Sequence, residues 1–483
     1  MNYKMMGRFN ALFLAVEALF MIPALIVSFS FGELEAAKAF LISIGIIMFV
    51  SGILAIVSKN AKKDFYAKEG LVCVGTSWIA MSVLGCLPFV LSGAIPNYID
   101  ALFEMVSGFT TTGASIIKDL EPIPKGVIYW RSFSHWLGGM GVLVFLLAIV
   151  PIGGQSEGYT MHLLRAESPG PDVGKLVPKM RQTAIVLYVS YIILSLINLG
   201  FLLLGKMNFF EAVCTMFGTA GTGGFGIKND SMASYSPYIQ NVTTIFMLLF
   251  GVNFSCYYLL ILKQFKNVFK DEELRLYVCI VVSSIALISF NIYSLFGNAF
   301  DSLRHSAFQV ASIITTTGYS TVDFNEWHSF SKTVLMILMV FGACAGSTGG
   351  GLKCARALLL MKNLIRNVSQ ILRPQKVKVI KVNGKAVDEK ILVNTNAYFF
   401  VYIIIIVLST LLLSLDGFSM MTNFSASLAC FNNIGPGFEA VGPASNFSEY
   451  SIFSKIILIF DMLAGRLEIF PVLVLFSPKA WRR

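Results

Sequence analysis

The chain has 483 residues, of which 56% are hydrophobic and only 13% are charged, and its net charge is +10. Soluble globular proteins have about 25% charged residues, so this composition excludes a soluble enzyme and indicates a polytopic membrane protein with about ten spans. The excess lysines and arginines lie in loops between apolar segments, where they orient a membrane protein, and they do not indicate nucleic-acid binding.

The first two apolar segments, residues 8–31 and 38–58, predict an accessory transmembrane hairpin over residues 1–68. Lys4 and Arg8 precede the first segment, as basic residues precede the apolar core of a signal peptide. The segment is longer than the roughly 7–15 apolar residues of a signal peptide, and no cleavage site of small residues follows it. We therefore predict a true span.

The rest of the chain repeats one pattern four times: an apolar span, a short amphipathic half-helix, a glycine-containing stretch and a second apolar span. Because the repeat is too long for a solenoid, it favours four units around a common axis. The predicted fold is an all-α polytopic membrane protein, with four pseudo-symmetric repeats around a central pore. The predicted repeats are residues 69–150, 151–265, 266–390 and 391–483. Their paired spans are predicted near 71–94 and 127–150, 183–205 and 238–263, 275–297 and 331–361, and 394–416 and 450–477.

The four glycine-containing stretches are candidates for an ion selectivity filter. Non-helical backbone at membrane depth is tolerated where it lines a water-filled path. Four extended segments that converge on one axis present rings of carbonyl oxygens, which replace the hydration shell of a cation. Glycine lets the backbone turn its carbonyls inward and has no side chain to block the path. The predicted filter residues are Thr111, Thr112, Gly113, Thr219, Ala220, Gly221, Thr316, Thr317, Gly318, Asn433, Ile434 and Gly435.

The second repeat allows two registers, because residues 218–225 contain several glycines. The length of the half-helix favours Gly221 as the filter glycine, whereas the aromatic residue Phe225 favours Gly224. We choose residues 219–221, because three inserted residues are hard to accommodate in a packed half-helix. Only one glycine is then common to all four repeats, against two in a filter of the Thr-Val-Gly-Tyr-Gly type, which predicts fewer ordered ion sites and a softer discrimination against sodium than in such a filter.

A second glycine-rich stretch interrupts the last span of the third repeat. Residues 342–351 contain five glycines, and each costs a helix about 1 kcal/mol relative to alanine. The stretch is either a loop that crosses the pore as a gate or a kink that lets neighbouring helices pack closely. A nucleotide-binding loop is excluded, because Leu352 rather than lysine follows Gly351. We predict the gate, formed by Gly346, Ser347, Thr348, Gly349, Gly350 and Gly351.

The fourth repeat carries an arginine, Arg466, inside its last span. A charged side chain there costs at least about 2.5–3.5 kcal/mol at the centre of the membrane, so it should face protein or water. Arg466 is either a cation near the pore, where it raises the barrier to ions, or a partner of Asp461 or Glu468. We predict that it faces the pore below the filter and closes the path together with the glycine-rich loop.

The distribution of basic residues predicts the orientation. If the N-terminus is cytoplasmic, most of the 37 lysines and arginines fall on the cytoplasmic side, as the positive-inside rule requires. We therefore predict a multi-pass protein of the cytoplasmic (inner) membrane with both termini in the cytoplasm. Acidic residues on the outer side either raise the local cation concentration or are ordinary loop charges. They are Asp119, Glu121, Asp230, Asp323, Glu326 and Glu439.

A pump or another membrane enzyme is the competing class. No soluble segment is long enough for a nucleotide-binding domain, and His135, His162, His305 and His328 are scattered along the chain. Arg131 and His135 could serve a proton path, although packing or interfacial anchoring is the alternative. We therefore predict no enzyme and no bound organic cofactor.

These stretches resemble the TrkH/TrkG potassium-uptake family, within the superfamily that includes KtrB and the plant HKT transporters. The resemblance is carried by the triplets ending at Gly113 and Gly318, residues 432–437, the glycine-rich break, and Gly465 with Arg466. It covers essentially the whole chain, and the N-terminal hairpin is similar to TrkH rather than to KtrB.

The resemblance implies potassium as the substrate, with potassium ions held at the filter residues. It also implies a homodimer and a cytoplasmic TrkA-type regulatory subunit that binds nucleotides. Two modes of potassium transport stay open at this point: channel-like flux, and symport coupled to protons or sodium. We predict that the basic segment 353–390 and the loop 151–182, with Arg165, Lys175, Lys179 and Arg181, dock this subunit. Contact with anionic membrane lipids is the alternative for these segments.

Overall fold

A computed structural model describes residues 1–61, 67–139, 141, 180–375 and 378–481. The described part of the chain is mostly helical, which confirms the predicted helical polytopic fold. A small antiparallel hairpin pairs strands Lys381–Val382 and Lys385–Ala386. His162 and most of the predicted docking loop 151–182, with Arg165, Lys175 and Lys179, lie outside the described residues.

The N-terminal hairpin consists of two apolar helical arms. The first arm joins helices Tyr3–Phe20 and Ile22–Ser30 end to end, and the second is helix Leu34–Val57. Both arms are long and apolar enough to cross a membrane. Ser51 donates a hydrogen bond of 2.6 Å to the Ala11 carbonyl, which ties the two arms together.

Each of the four repeats has a first helix, a short helix and a last helix in that order. The first helices are Ala67–Gly85 continued by Leu87–Leu91, Met180–Leu204, Glu272–Phe296 and Glu389–Leu413. The short helices are Tyr98–Phe109, Phe209–Gly221, Ala299–Ile314 and Met420–Phe431. The last helices are Lys125–Gly139, Pro237–Phe250 with Phe254–Ile261, Ser329–Val340 with Cys354–Leu372, and Ile452–Arg466 with Phe470–Phe476. Within the described ranges, the remaining helical pieces are Phe265–Lys270, Pro478–Trp481 and three 3-10 turns at Phe324–Glu326, Ser414–Asp416 and Glu439–Val441.

The short helices begin in the same way in all four repeats. A polar side chain precedes each helix and accepts a hydrogen bond from a backbone N–H of its first turn, which satisfies a donor that would otherwise be unpaired. The capping residues are Asn97, Asn208, Asn298 and Ser419. The C-terminal halves of these helices are buried, so the caps lie at the periphery and the helices point into the protein.

The last helices of the second, third and fourth repeats are each divided into two pieces, so the spans predicted near 238–263 and 450–477 are not single straight helices. Among the described residues, six helices are long and apolar enough to cross a membrane, namely the two hairpin arms and the four first helices. In the second repeat the two pieces of the last helix meet at an angle of 89°. In the third repeat residues 341–353 separate the two pieces, and in the fourth repeat Glu468 and Ile469 have positive φ at the break. In the third and fourth repeats, glycines at or near the break lie against the short-helix ends, because a Cβ on Gly349 would approach the Thr315 carbonyl oxygen and one on Gly465 that of Phe431.

Candidate functional site

Each short helix is followed by a three-residue segment with the same backbone conformation. The first and third residues of the segment have positive φ, which is uncommon for residues other than glycine. We call these four segments the central ring, and they are residues 111–113, 222–224, 316–318 and 433–435. Their paired φ values are 56° and 80°, 53° and 73°, 58° and 84°, and 56° and 99°.

The four segments close on one another in the order of the repeats. A Cβ added to Gly113 would collide with the Gly223 carbonyl oxygen, and one added to Gly224 would collide with that of Thr317. A Cβ on Gly318 would likewise meet the Ile434 carbonyl oxygen. In the fourth contact, a Cβ on Gly435 would lie 2.8 Å from the Thr112 carbonyl oxygen. Each glycine thus packs against the middle residue of the next segment, and a side chain has no room there.

The ring corrects the register predicted for the second repeat. Residues 219–221 complete the last turn of helix Phe209–Gly221, so the choice of Gly221 was wrong. Gly224 takes the place of the other ring glycines. The capping residues contain the signal that would have found it, because the ring glycine follows the cap by sixteen residues in the first, second and fourth repeats. The third repeat has a longer short helix and a longer interval.

The other nine predicted filter residues lie in the ring, where all threonine and asparagine side chains are buried. In the first repeat the hydroxyls of Thr110 and Thr112 are 2.8 Å apart, and those of Thr315 and Thr317 repeat this contact at 2.8 Å. Asn433 donates a hydrogen bond of 2.9 Å to the Thr112 hydroxyl, which joins the fourth segment to the first. The middle side chains of the first and third segments, Thr112 and Thr317, are therefore held in place by hydrogen bonds.

A cavity lies on one side of the ring and is lined by all four ring glycines. Its charged lining residues are Lys118, Arg131 and Lys228, and none of the predicted acidic residues lines it. Asp119 instead accepts hydrogen bonds from the Asn229 amide and the Glu121 backbone, which lower the pKa of Asp119. This arrangement favours the interpretation of the acidic residues as ordinary loop charges.

The predicted gate loop lies against the ring from the side where the short helices end. The Gly350 N–H donates a hydrogen bond of 2.6 Å to the Thr316 hydroxyl. A Cβ on Gly349 would lie 2.9 Å from the Thr315 carbonyl oxygen, and one on Gly350 would lie 2.5 Å from that of Asn432. Gly346, Ser347, Thr348 and Gly351 belong to the same break, so the loop fits closely below the third and fourth ring segments.

Arg466 contacts the gate loop directly. Its guanidinium donates to the carbonyl oxygens of Thr348 at 3.0 Å and Gly139 at 2.8 Å, and also to that of Gly138. It lies 3.4 Å from the hydroxyl of Thr111 in the ring. The arginine therefore connects the first, third and fourth repeats beneath the ring.

The two carboxylates considered as partners of Arg466 have other contacts. Asp461 accepts hydrogen bonds from the hydroxyls of Ser409 at 2.7 Å and Ser427 at 3.2 Å. Glu468 forms an ion pair with Arg356, which follows the gate loop in the third repeat. These contacts favour the prediction that Arg466 acts with the loop.

The fold and the central ring define a class of protein: a helical polytopic membrane protein in which four short helices and the segments after them meet in one closed ring. The chain belongs to the TrkH family of cation transport proteins, whose family model matches residues 36–483. This confirms the resemblance predicted from the sequence.

Similar proteins match over nearly their whole length. The Trk system potassium uptake protein TrkH of Escherichia coli is 34% identical over 457 residues, which cover 92% of this chain and 93% of that protein. The Trk system potassium uptake protein TrkG of Escherichia coli is 32% identical and covers 96% of each chain. The crystal structure of the potassium transporter TrkH from Vibrio parahaemolyticus is similar with a TM-score of 0.87, at 30% identity and full coverage of both chains.

Proposed function

We propose that this chain takes up potassium across the cytoplasmic membrane and that the central ring is its selectivity filter. The observation that carries the proposal is the closure of the ring, in which each of four glycines packs against a carbonyl group of the next segment. The relatives from Escherichia coli and Vibrio parahaemolyticus are named as potassium transporters, which supports potassium as the ion.

The position of the short helices supports a cation as the permeating species. Each short helix ends within two residues of the ring, and the C-terminus of a helix carries roughly half a negative elementary charge. Four such helix ends surround the ring. Carbonyl oxygens of the ring segments would replace the water molecules around a dehydrated potassium ion.

The gate loop and Arg466 are the proposed barrier below the filter. A fixed guanidinium in the path of the ion would repel potassium by several kcal/mol at short range unless it is displaced or screened by water. The Thr348 carbonyl oxygen, in the loop, accepts a hydrogen bond from Arg466, so the loop and the arginine would act as one barrier. Movement of the loop would remove a partner of the arginine at the same time.

Helix Cys354–Leu372 is placed to transmit movement to this barrier. Lys353, at its start, donates a hydrogen bond to the Gly349 carbonyl oxygen in the loop. Arg356 pairs with Glu468, two residues after Arg466. A regulatory subunit that pulls on this helix would therefore act on the loop and on the arginine together.

We further propose that the chain acts as a homodimer with a cytoplasmic, nucleotide-binding subunit of the TrkA type. The hairpin within the basic segment is held to the start of the first helix of the third repeat, because Asn383 donates a hydrogen bond of 2.7 Å to Asp271, the residue that caps this helix. Lys378, Lys381 and Lys385 are exposed on this hairpin or just before it. A fixed and exposed basic surface suits an acidic partner.

Reversing the charge of these three lysines to glutamate should weaken co-purification with the subunit by at least about tenfold, or 1.4 kcal/mol. Lys59→Glu, which changes an exposed lysine of the N-terminal hairpin, is the control and should leave binding intact. Unchanged binding by the triple variant would favour contact of the basic segment with anionic lipids.

Reversal potentials of the purified chain in liposomes test the proposed function. With potassium on one side and sodium on the other, the potential should follow the potassium and rubidium gradients and not those of sodium or lithium. The same experiment with an added proton gradient separates channel-like flux from symport, because only a coupled potential shifts with both gradients. A potential that follows sodium as closely as potassium would contradict the proposal.

A further inference from the structure

The second repeat differs from the other three at the middle residue of its ring segment. This residue is Thr112, Thr317 and Ile434 in the first, third and fourth repeats, and it is Gly223 in the second. Three segments therefore have a side chain behind the ring, and the second has none.

Behind the second segment, the space that a side chain of residue 223 would take is occupied by His135 of the first repeat. A Cβ added to Gly223 would collide with ring atoms Nδ1, Cγ and Cε1 of His135. His135 is fully buried, and neither of its ring nitrogens has a hydrogen-bond partner among the described residues. Burial of a polar group without a hydrogen-bond partner destabilises a fold. The position of His135 is therefore explained by what its ring contacts and not by hydrogen bonds of its own.

The residue after the second ring segment makes contact with the same helix. The rings of His135 and Phe225 have centroids 4.1 Å apart, and the guanidinium carbon of Arg131 lies 3.5 Å from the Phe225 centroid. Arg131 and His135 are four residues apart on helix Lys125–Gly139, so they share one face. Arg131 and His135 therefore both contact residues of the second repeat.

Arg131 is itself held in place by a buried carboxylate. Its Nε lies 2.6 Å from Glu104 Oε1, and both side chains are at most 2% exposed. Glu104 also accepts a hydrogen bond of 2.9 Å from the Ile116 N–H, just after the first ring segment. Arg131 donates a hydrogen bond of 3.0 Å to the Gly226 carbonyl oxygen, just after the second. The ion pair thus links the backbones that leave two adjacent ring segments.

We propose that His135 serves as the missing side chain of Gly223 and, together with the Glu104–Arg131 pair, positions the second ring segment and sets the ion preference. The proposal rests on the proposed role of the ring as the filter. The second segment contains two glycines in succession, and glycine restrains the backbone least. This segment is the one that most needs support from outside, and these three positioning residues supply it from the first repeat.

Two substitutions test the proposal: one adds side-chain volume at Gly223, and the other removes it at His135. Gly223→Thr introduces the side chain of the first and third repeats, and it should lower the ratio of rubidium to sodium flux by at least about tenfold, or roughly 1.4 kcal/mol. His135→Ala should lower the ratio several-fold, because it leaves the second segment without support. The double variant has room for the threonine and should recover most of the wild-type ratio.

The fluxes are measured with the purified full-length chain in liposomes. Two controls make the same kinds of substitution outside the ring. They are Gly200→Thr, where no described atom beyond the local helix backbone lies within 4 Å of an added Cβ, and His328→Ala, where the side chain is exposed. Both should keep the wild-type ratio. The flux ratio does not depend on the amount of folded protein, so a loss of stability alone does not change it.

A double variant with a ratio no better than that of Gly223→Thr would overturn the proposal. If Gly223→Thr alone yields little folded protein, the double variant should recover yield and ratio together, and failure to recover either would overturn it as well. If Gly113→Ser lowers the ratio but the exchange variants do not, the positioning role is wrong and the filter stands. If Gly113→Ser has no effect either, the filter itself is wrong.

Discussion

Serine in place of Gly224 should remove most of the preference for rubidium over sodium, with a loss of at least about tenfold, or 1.4 kcal/mol. Its added Cβ would collide with the Thr317 carbonyl oxygen, and the residue has a φ of 73°, which costs a side chain roughly 1–2 kcal/mol. The segment must therefore move, and the ring opens. Gly113→Ser and Gly318→Ser should act in the same way, and rubidium uptake in competition with sodium measures all three.

Gly52→Ser is the matched control for these variants. Gly52 lies in the N-terminal hairpin, and outside the local helix backbone no atom of the described residues lies within 4 Å of a Cβ added there. This variant should keep the wild-type preference. If the three ring variants fold, conduct and also keep the preference, the ring is not the filter.

Arg466→Ala should raise potassium flux in the absence of any regulatory subunit by at least about tenfold, because it removes a charge that repels the ion by several kcal/mol. Deleting part of residues 345–350 should have the same effect, since the loop is the other half of the closure. Discrimination against sodium should persist in both variants, because the ring is a separate structure. Potassium efflux from liposomes that contain only the purified chain measures the effect.

Arg304→Ala is the control for the gate variants, because Arg304 pairs with Asp301 within one helix at a partly exposed position. It should leave the flux at the wild-type level. Unchanged or lower flux in both well-folded gate variants would contradict the gate and leave the glycine-rich loop as a means of close packing.

Three ring segments could be predicted from the sequence because local chemistry determines them. A glycine that ends a Thr-Thr-Gly or Asn-Ile-Gly triplet, just after a short amphipathic helix, is visible without any tertiary contact. The second segment was misplaced because the expected length of the half-helix was preferred to the aromatic residue Phe225 as the guide to the register. The capping residue Asn208 is the better reference, since it marks where the helix begins.

The breaks in the last helices could be predicted only in part. The five glycines of the third repeat signal a break through their low helix propensity. The two helices that flank Asn253 are together long and apolar enough for one span, although they meet at 89°. A hydropathy pattern therefore reads this pair as one span. In the fourth repeat the break is marked by the positive φ of Glu468 and Ile469, a backbone feature that hydropathy does not report.

The contacts that join the gate depend on the folded chain. Arg466 and Thr348 are 118 residues apart in sequence. The pattern of spans could indicate that they lie at a similar depth in the membrane, but not that they are in contact. The pairing of Glu468 with Arg356 rather than with Arg466 likewise follows from the way two repeats pack. The sequence shows that a charged residue lies inside an apolar span, but only the tertiary structure shows which residue it pairs with.

The position of a bound potassium analogue tests the central claim most directly. Crystals of the full chain grown with thallium, which replaces potassium and scatters anomalously, should show a peak inside the central ring. The ion should lie near the carbonyl oxygens of Thr112, Gly223, Thr317 and Ile434, and excess potassium but not sodium should displace it. A thallium peak elsewhere in the protein with none in the ring, or equal displacement by sodium, would contradict the account.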